Sequence, residues 1–217
     1  MKRFLLITFI GLLSSHFAFS QNINFETDEE YYSAKEKSFS IILGDMYELV
    51  YHAIIPFDVG GSVDMYLFPQ TTGVAMVTME LLRKDGDIPL RSRIGTYEFI
   101  AFSKYDVASN EAKAIIYKMN NIFTVLGNYS TEAVLNPFET CEIPTENENI
   151  CIIFDEYPTN NQFNFDGKKH GLLLIIEVFQ DEMNFAMKYG TRNLLRLLKE
   201  KGFYPFSDLD RESVIAQ

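Results

Sequence analysis

The chain predicts an α+β fold: a mixed, mostly antiparallel β-sheet with helices packed on one face. Three observations carry this expectation. Apolar residues alternate with period two at 47–55 and again at 63–68, which is strand spacing. The spacing becomes helical at 108–126, with Ala112, Ile115, Ile116, Met119, Ile122 and Phe123 on one side. The stretch 172–198, LLLIIEVFQDEMNFAMKYGTRNLLRLL, opens as an unbroken apolar run, turns acidic and resumes as a leucine-faced helix. Strands, helix, strands, helix is the order of a sheet with segregated helices.

The chain begins with Lys2 and Arg3, an apolar stretch at 4–13, and Ala18 and Ser20 as small residues ahead of Gln21. This is a secretory signal pattern, so 1–20 is expected to be removed and the protein to be exported, to a periplasm or beyond. The apolar stretch is well short of the ~20 residues that span a bilayer. No membrane insertion is expected after signal removal. What remains, 21–217, reads as a single domain with its core at about 47–198.

Residues 22–37 are polar and acidic and read as a frayed arm or short amphipathic helix. The alternation at 47–55 and 63–68 flanks Gly60-Gly61, a hairpin signal, and Pro69 ends its second strand because it cannot donate to a ladder. Strands follow at 74–82 and 97–103 around the Lys84-Asp85-Gly86-Asp87 turn. Ser109 is the expected N-cap of the next helix and Gly127 its stop. Residues 131–149 read as irregular, 151–154 as a strand and 157–169 as a loop. Neither face of the run at 172–176 can meet water, as in a strand buried on both sides. Asp181 and Glu182 suit the positive end of the helix that follows. Gly190 is the expected break, Thr191 the cap of a second helix and Gly202 its end. Residues 205–217 read as a tail.

The signal carries two of the 19 basic residues and none of the 30 acidic ones, leaving 17 against 30, a formal charge of −13. Nucleic-acid backbones and anionic membrane surfaces both require Lys and Arg, so neither is an expected partner. The two cysteines, Cys141 and Cys151, bound a short loop. Export permits a disulfide there, worth roughly 3 kcal/mol if geometry allows. Two reduced thiols are the alternative.

No catalytic, cofactor-binding or metal-binding residue is assigned. His52 and His170 stand alone, without a partner at ligand spacing. No phosphate-binding glycine loop or serine elbow occurs. A nucleophilic pair of Cys141 or Cys151 with His170 requires a thiol that stays reduced after export. Asp155 and Glu156, at a strand end, are expected to face water. Asp64 lies mid-strand between Val63 and Met65 and reads as a solvent-side residue. Asn128-Tyr129-Ser130 matches the N-glycosylation triplet.

Three stretches resemble one family. VDMYLFPQT at 63–71 resembles the strand and Pro-Thr signature of Suppressor-of-fused domains. MVTMELLRKDG at 76–86, followed by YEFIAFS, resembles the two strands after it. VFQDEMNFAMKYGTRNLLRLL at 178–198 resembles the acidic strand-to-helix segment near that domain's end. Gln70 stands where the family often has a second proline, and a Trp-free helix replaces its aromatic middle. The resemblance implies a mixed α/β domain that binds another protein without catalysis and needs no cofactor. Eukaryotic relatives sequester a transcription factor, and bacterial ones include immunity proteins that neutralise toxins. An exported binding protein, with a toxin among its possible partners, is the expectation; a hydrolase or small-ligand binder of the cell envelope is the alternative. The partner-binding residues are not legible.

Overall fold

The computed structural model describes residues 25–146 and 148–215. The expected signal at 1–20 lies outside them. The first helix, α1 (Asp28–Leu43), starts where Thr27 and Glu30 cap each other: the Glu30 amide donates to Thr27 Oγ1 at 3.2 Å and the Thr27 amide to Glu30 Oε2 at 3.3 Å. Tyr31, Lys35, Phe39 and Leu43 recur every four residues and form its buried stripe. The polar stretch expected to be a frayed arm or short helix is therefore the capped first half of a longer one, continued by the apolar residues after it.

Six strands make one sheet: β1 (Tyr66–Pro69), β2 (Val74–Val77), β3 (Thr96–Ser103), β4 (Thr140–Ile143), β5 (Ile150–Tyr157) and β6 (His170–Val178). Their order is β1-β2-β3-β6-β5-β4. Only β3 and β6 run parallel, with Thr96 opposite His170 and Ile100 opposite Leu174; the other neighbours are antiparallel. The α+β class and the mixed, mostly antiparallel sheet hold.

The helices do not share one face. Helix α2 (Asn110–Tyr129) packs Ile116, Met119 and Phe123 against Phe99, Leu173 and Ile175. On the opposite face, α1 is joined by α3 (Gln180–Tyr189) and α4 (Thr191–Glu200), which place Met183, Leu194 and Leu198 over Ile153, Leu174 and Ile176. This is why β6 reads as unbroken apolar sequence: every one of its residues is buried, alternately under α2 and under the other three helices. A doubly buried strand requires cover on both sides, and that requirement was already present in the run at 172–176.

Several boundaries differ from expectation. Ser109 caps α2 through its hydroxyl, which accepts the Ala112 amide at 3.0 Å. The helix continues past Gly127, whose missing side chain admits the Phe57 ring; a Cβ there would stand 3.0 Å from it. Gly190 breaks α3 from α4 at φ 95°, as expected. It serves as the N-cap of α4, so Thr191 is that helix's first residue, and buried, rather than its cap. The segment 47–55 follows β1 as an irregular ribbon in place of a regular strand, through Tyr51 and Met65, which exchange backbone hydrogen bonds at 3.0 Å.

The tail is built into the sheet. Past Ile100 and Leu174 the parallel pair splays, and Ser207 enters the gap: its amide donates to Phe102 O at 2.9 Å, while its hydroxyl donates to Ile175 O and accepts the Glu177 amide, both at 3.2 Å. Asp208 then accepts Ser103 Oγ at 2.7 Å and the Lys104 amide at 2.9 Å.

Candidate functional site

The polar residues marked in the sequence fall into separate structural roles. Asp64 is partly buried and holds the ribbon onto β1: Oδ1 accepts the Ala53 amide at 2.8 Å and Oδ2 lies 2.7 Å from His52 Nδ1. It is an anchor, not a free solvent-side residue. Asp155 also differs from expectation, being buried with the Tyr204 hydroxyl donating to it at 3.1 Å; Glu156 faces water. Glu182 caps α3 by accepting the Phe179 amide and is wholly buried against Arg211, whose guanidinium donates two hydrogen bonds at 2.6 and 2.8 Å. Asn128 ends α2 beside the fully buried Ser130.

His170 is buried and stacked on Phe165 with ring centroids 5.3 Å apart. Its Nε2 lies 3.0 Å from Asp166 and its Nδ1 2.9 Å from Thr96, whose hydroxyl donates to Asp87 at 2.8 Å. Burial alone would raise Asp166; the His170 hydrogen bond and the Lys168 amide outweigh it and hold the carboxyl at about 2. The arrangement joins the starts of β3 and β6 to the loop before β6. Sequence reasoning missed the Lys35–Glu98 pair altogether. Lys35 Nζ donates to Glu98 at 2.9 Å and to the Met79 and Leu82 carbonyls at 2.5 Å, with both side chains fully buried. Burial holds the ammonium pKa below its ordinary value, and Glu98 offsets only part of that.

The two cysteines do not face each other. Cys141 stands opposite Ile152 on the ladder, and Cys151 opposite Glu142. Successive strand residues point to opposite faces, so Cys141 packs with the α2 core and Cys151 with the α3–α4 core. Both are free thiols, and the expected bridge does not form. The Cys–His pairing also fails. Ile152 is opposite Glu177, near the far end of β6 from His170, roughly 23 Å away at ~3.3 Å per residue. Among the described residues no three His, Cys, Asp or Glu side chains are placed to hold a metal ion.

What the fold does bring together is an open sheet edge. Among the described residues strand β4 has no neighbour beyond it. Before it, Phe138 and Glu139 share Phe154: the Phe138 amide donates to Phe154 O at 2.8 Å and the Phe154 amide to Glu139 O at 3.1 Å. Phe138 sits at φ 72°, a bulge geometry. Hydrogen-bonded pairs alternate along an antiparallel ladder, so Cys141 and Ile143 bond to β5, while Thr140 and Glu142 turn their amides and carbonyls outward. Among the described residues no backbone hydrogen bond reaches that outer side.

A hollow flanks this edge on each face. On the α2 side it is about 510 Å³, walled by Val125, Tyr129, Val134, Cys141 and Ile143. Val125, Tyr129 and Val134 are 46%, 49% and 42% exposed and stand together around this hollow. On the other side a hollow of about 460 Å³ lies between β4 and the α3–α4 break, with Thr140, Met187 and Gly190. Free backbone donors and acceptors with side-chain hollows on alternate sides are the requirements for pairing with an extended chain. The sequence signal for this site was weak, because 131–149 carries two prolines and little periodicity.

No family model matches the chain, and no curated protein matches it by sequence. Among solved structures it is similar to a crystal structure of the Sufu–Fu complex, at 13% identity and TM-score 0.57, over 86% of this chain and 91% of that one. It is also similar to a crystal structure of Drosophila Suppressor of Fused, at 15% identity and TM-score 0.58, over 85% of this chain. The matched part is 50% of the Drosophila chain, so this protein spans about half its length. The chain has a Suppressor-of-fused-like fold, as the sequence stretches implied.

Proposed function

We propose that this protein is a non-enzymatic binding domain that takes an extended segment of a partner protein onto β4 as a seventh strand. The observation that carries the reading is the unpaired edge with a hollow on each face, walled by Val125, Val134 and Ile143 on one side and by Ala186 and Met187 among polar residues on the other. Backbone pairing would supply affinity, and the hollows would select apolar side chains at every second position. One similar structure is of a complex with a protein partner, which supports a binding role. Export, and a toxin as the partner neutralised, belong to this proposal and rest on the sequence.

The test is selection of binders from a displayed library of random dodecapeptides, followed by amide exchange on the complex. The expected result is peptides with alternating apolar residues that slow exchange at Thr140 and Glu142. Glu142→Pro removes an outward amide, leaves the β5 ladder intact and abolishes binding with little change in the melt. Peptides that protect another surface, or undiminished binding by the proline variant, would overturn the reading.

A further inference from the structure

An exposed cationic row lies beside the same edge of this acidic protein. Arg192, Arg196 and Lys199 recur at helical spacing along α4. With Phe138, Asp155 and Tyr204 they wall a groove of about 770 Å³ that has Leu195 in its lining. Arg192 Cζ lies over the Phe138 ring, 3.6 Å from its centroid. Stacking leaves the N–H edges of a guanidinium free, and among the described residues no carboxylate pairs with this one. Arg196 donates one hydrogen bond, to Glu200 at 3.1 Å, and keeps its other donors in water. Lys199 is 4.1 Å from the Tyr204 ring centroid and 3.7 Å from Asp155.

Phe138 also walls the hollow between β4 and the α3–α4 break, so the groove continues from the edge itself. We infer that the groove along α4 binds carboxylates of the partner segment where it leaves β4, so that the favoured ligand is an apolar strand with an acidic extension. This inference rests on the strand-addition reading above. Carboxylates match the free donors of Arg192 and Arg196 two at a time. A long polyanion such as nucleic acid is disfavoured because it would run past the groove over a chain that carries −11, whereas one or two carboxylates need only reach Arg192 and Arg196. Phe138 precedes β4, so an antiparallel partner strand reaches the groove with its C-terminal end and a parallel one with its N-terminal end.

The experiment uses one β4-binding peptide in four forms: unextended, or lengthened by Asp-Glu, by Ser-Gln or by phosphoserine-Ser, at each end in turn. Fluorescence anisotropy reads affinity for the intact protein and for the Arg192→Ala, Arg196→Ala double variant. The expected gain from Asp-Glu is roughly tenfold at one end only, as for a charge-assisted pair. The variant loses that gain and binds the unextended peptide as before. A gain under twofold at both ends, or a gain confined to phosphoserine, overturns the groove while leaving strand addition standing. If no peptide adds to β4, the free tripeptide acetyl-Asp-Glu-Asp-amide is titrated against the arginine side-chain N–H signals. Movement of Arg192 and Arg196 then keeps carboxylate recognition, and no movement ends it.

Discussion

The two edges of the sheet are treated in opposite ways. At β1 the chain covers its own backbone: the Tyr47 amide donates to Leu67 O at 2.8 Å, and Tyr51 and Met65 exchange hydrogen bonds. Pro69 blunts the strand's end, and the Gln70 amide group ties Leu43 O, Phe68 O and Pro69 O together. At β4 no backbone hydrogen bond among the described residues reaches the outer side. An open edge is an aggregation hazard that proteins ordinarily close. This chain closes one edge with a ribbon, a proline and a helix end and leaves the other bare, and on the strand-addition proposal the bare edge is the one that binds.

The largest effect should come from breaking the closed side. Lys35 fixes α1 to the chain after β2 through Glu98 and two carbonyls. Lys35→Ala leaves a buried carboxylate without its cation and should lower stability by about 3–5 kcal/mol in urea unfolding. Much of that cost is the unpaired charge, so adding Glu98→Gln should recover part of it: an amide oxygen at the Oε2 position still accepts the Thr78 and Leu81 donors, while the Leu82 amide loses its acceptor. A loss below about 1 kcal/mol would mean the pair does not hold this side together.

The contrast between the edges was only partly legible in the sequence. Strands β3 and β6, helix α2 and the break at Gly190 announce themselves through periodicity, capping and an unbroken apolar run. Those signals are local. The placement of helices on both faces follows from β6 being apolar at every position, but only once both faces are required to be covered. The pairing of Lys35 with Glu98, and of Glu182 with Arg211, joins residues far apart in the chain, and a charged residue in a polar stretch gives no sign that it is buried. The tail's entry between β3 and β6 depends on where a parallel pair splays, which no residue pattern encodes. The separation of Cys141 from Cys151 depends on register, where a shift of one residue reverses a side chain's face. The open edge was hidden for the same reason: β4 is four residues long, and its importance lies in what does not pair with it.

A smaller perturbation tests whether the ribbon is what closes β1. Asp64→Ala removes the acceptor of the Ala53 amide and the partner of His52, a cost of about 1–2 kcal/mol. Amide exchange should quicken at Tyr51 and Met65 and stay unchanged at Thr140 and Glu142. With β1 uncovered, the protein should associate as its concentration rises, read by sedimentation. A second readout is Glu80, which burial, with Asp64's charge adding, pushes up to about 7. Without that charge its pKa should fall, so the carboxylate ionises at lower pH in the variant. A variant that stays monomeric with unchanged exchange at Tyr51 would remove the ribbon from the explanation.

The smallest effect on stability should accompany the largest effect on binding, and Cys141 can separate the two. Its thiol lines the hollow on the α2 side of β4 and is partly exposed, whereas Cys151 is buried on the other face. Burial, with Glu142 adding to it, raises the Cys141 pKa, and burial pushes Cys151 up to about 11. The thiolate is the nucleophile, so a raised pKa means slow alkylation at neutral pH and a rate that climbs through the alkaline range. Iodoacetamide at pH 8.5, roughly the ordinary cysteine pKa, should therefore modify Cys141 slowly in the native protein, and Cys151 only after unfolding in urea. The thiol packs at the margin of the α2 core and borders the hollow, which can take the added carboxamidomethyl group, so the shift in unfolding free energy should stay within about 1 kcal/mol. The same group occupies the space a partner's apolar side chain would enter, so affinity for β4-binding peptides should fall at least tenfold, about 1.4 kcal/mol. Cys141→Ser, which leaves the hollow open, should bind normally before and after the same treatment. Equal loss of stability and affinity on labelling would show that β4 is a packed part of the fold, and the distinction between the two edges would collapse.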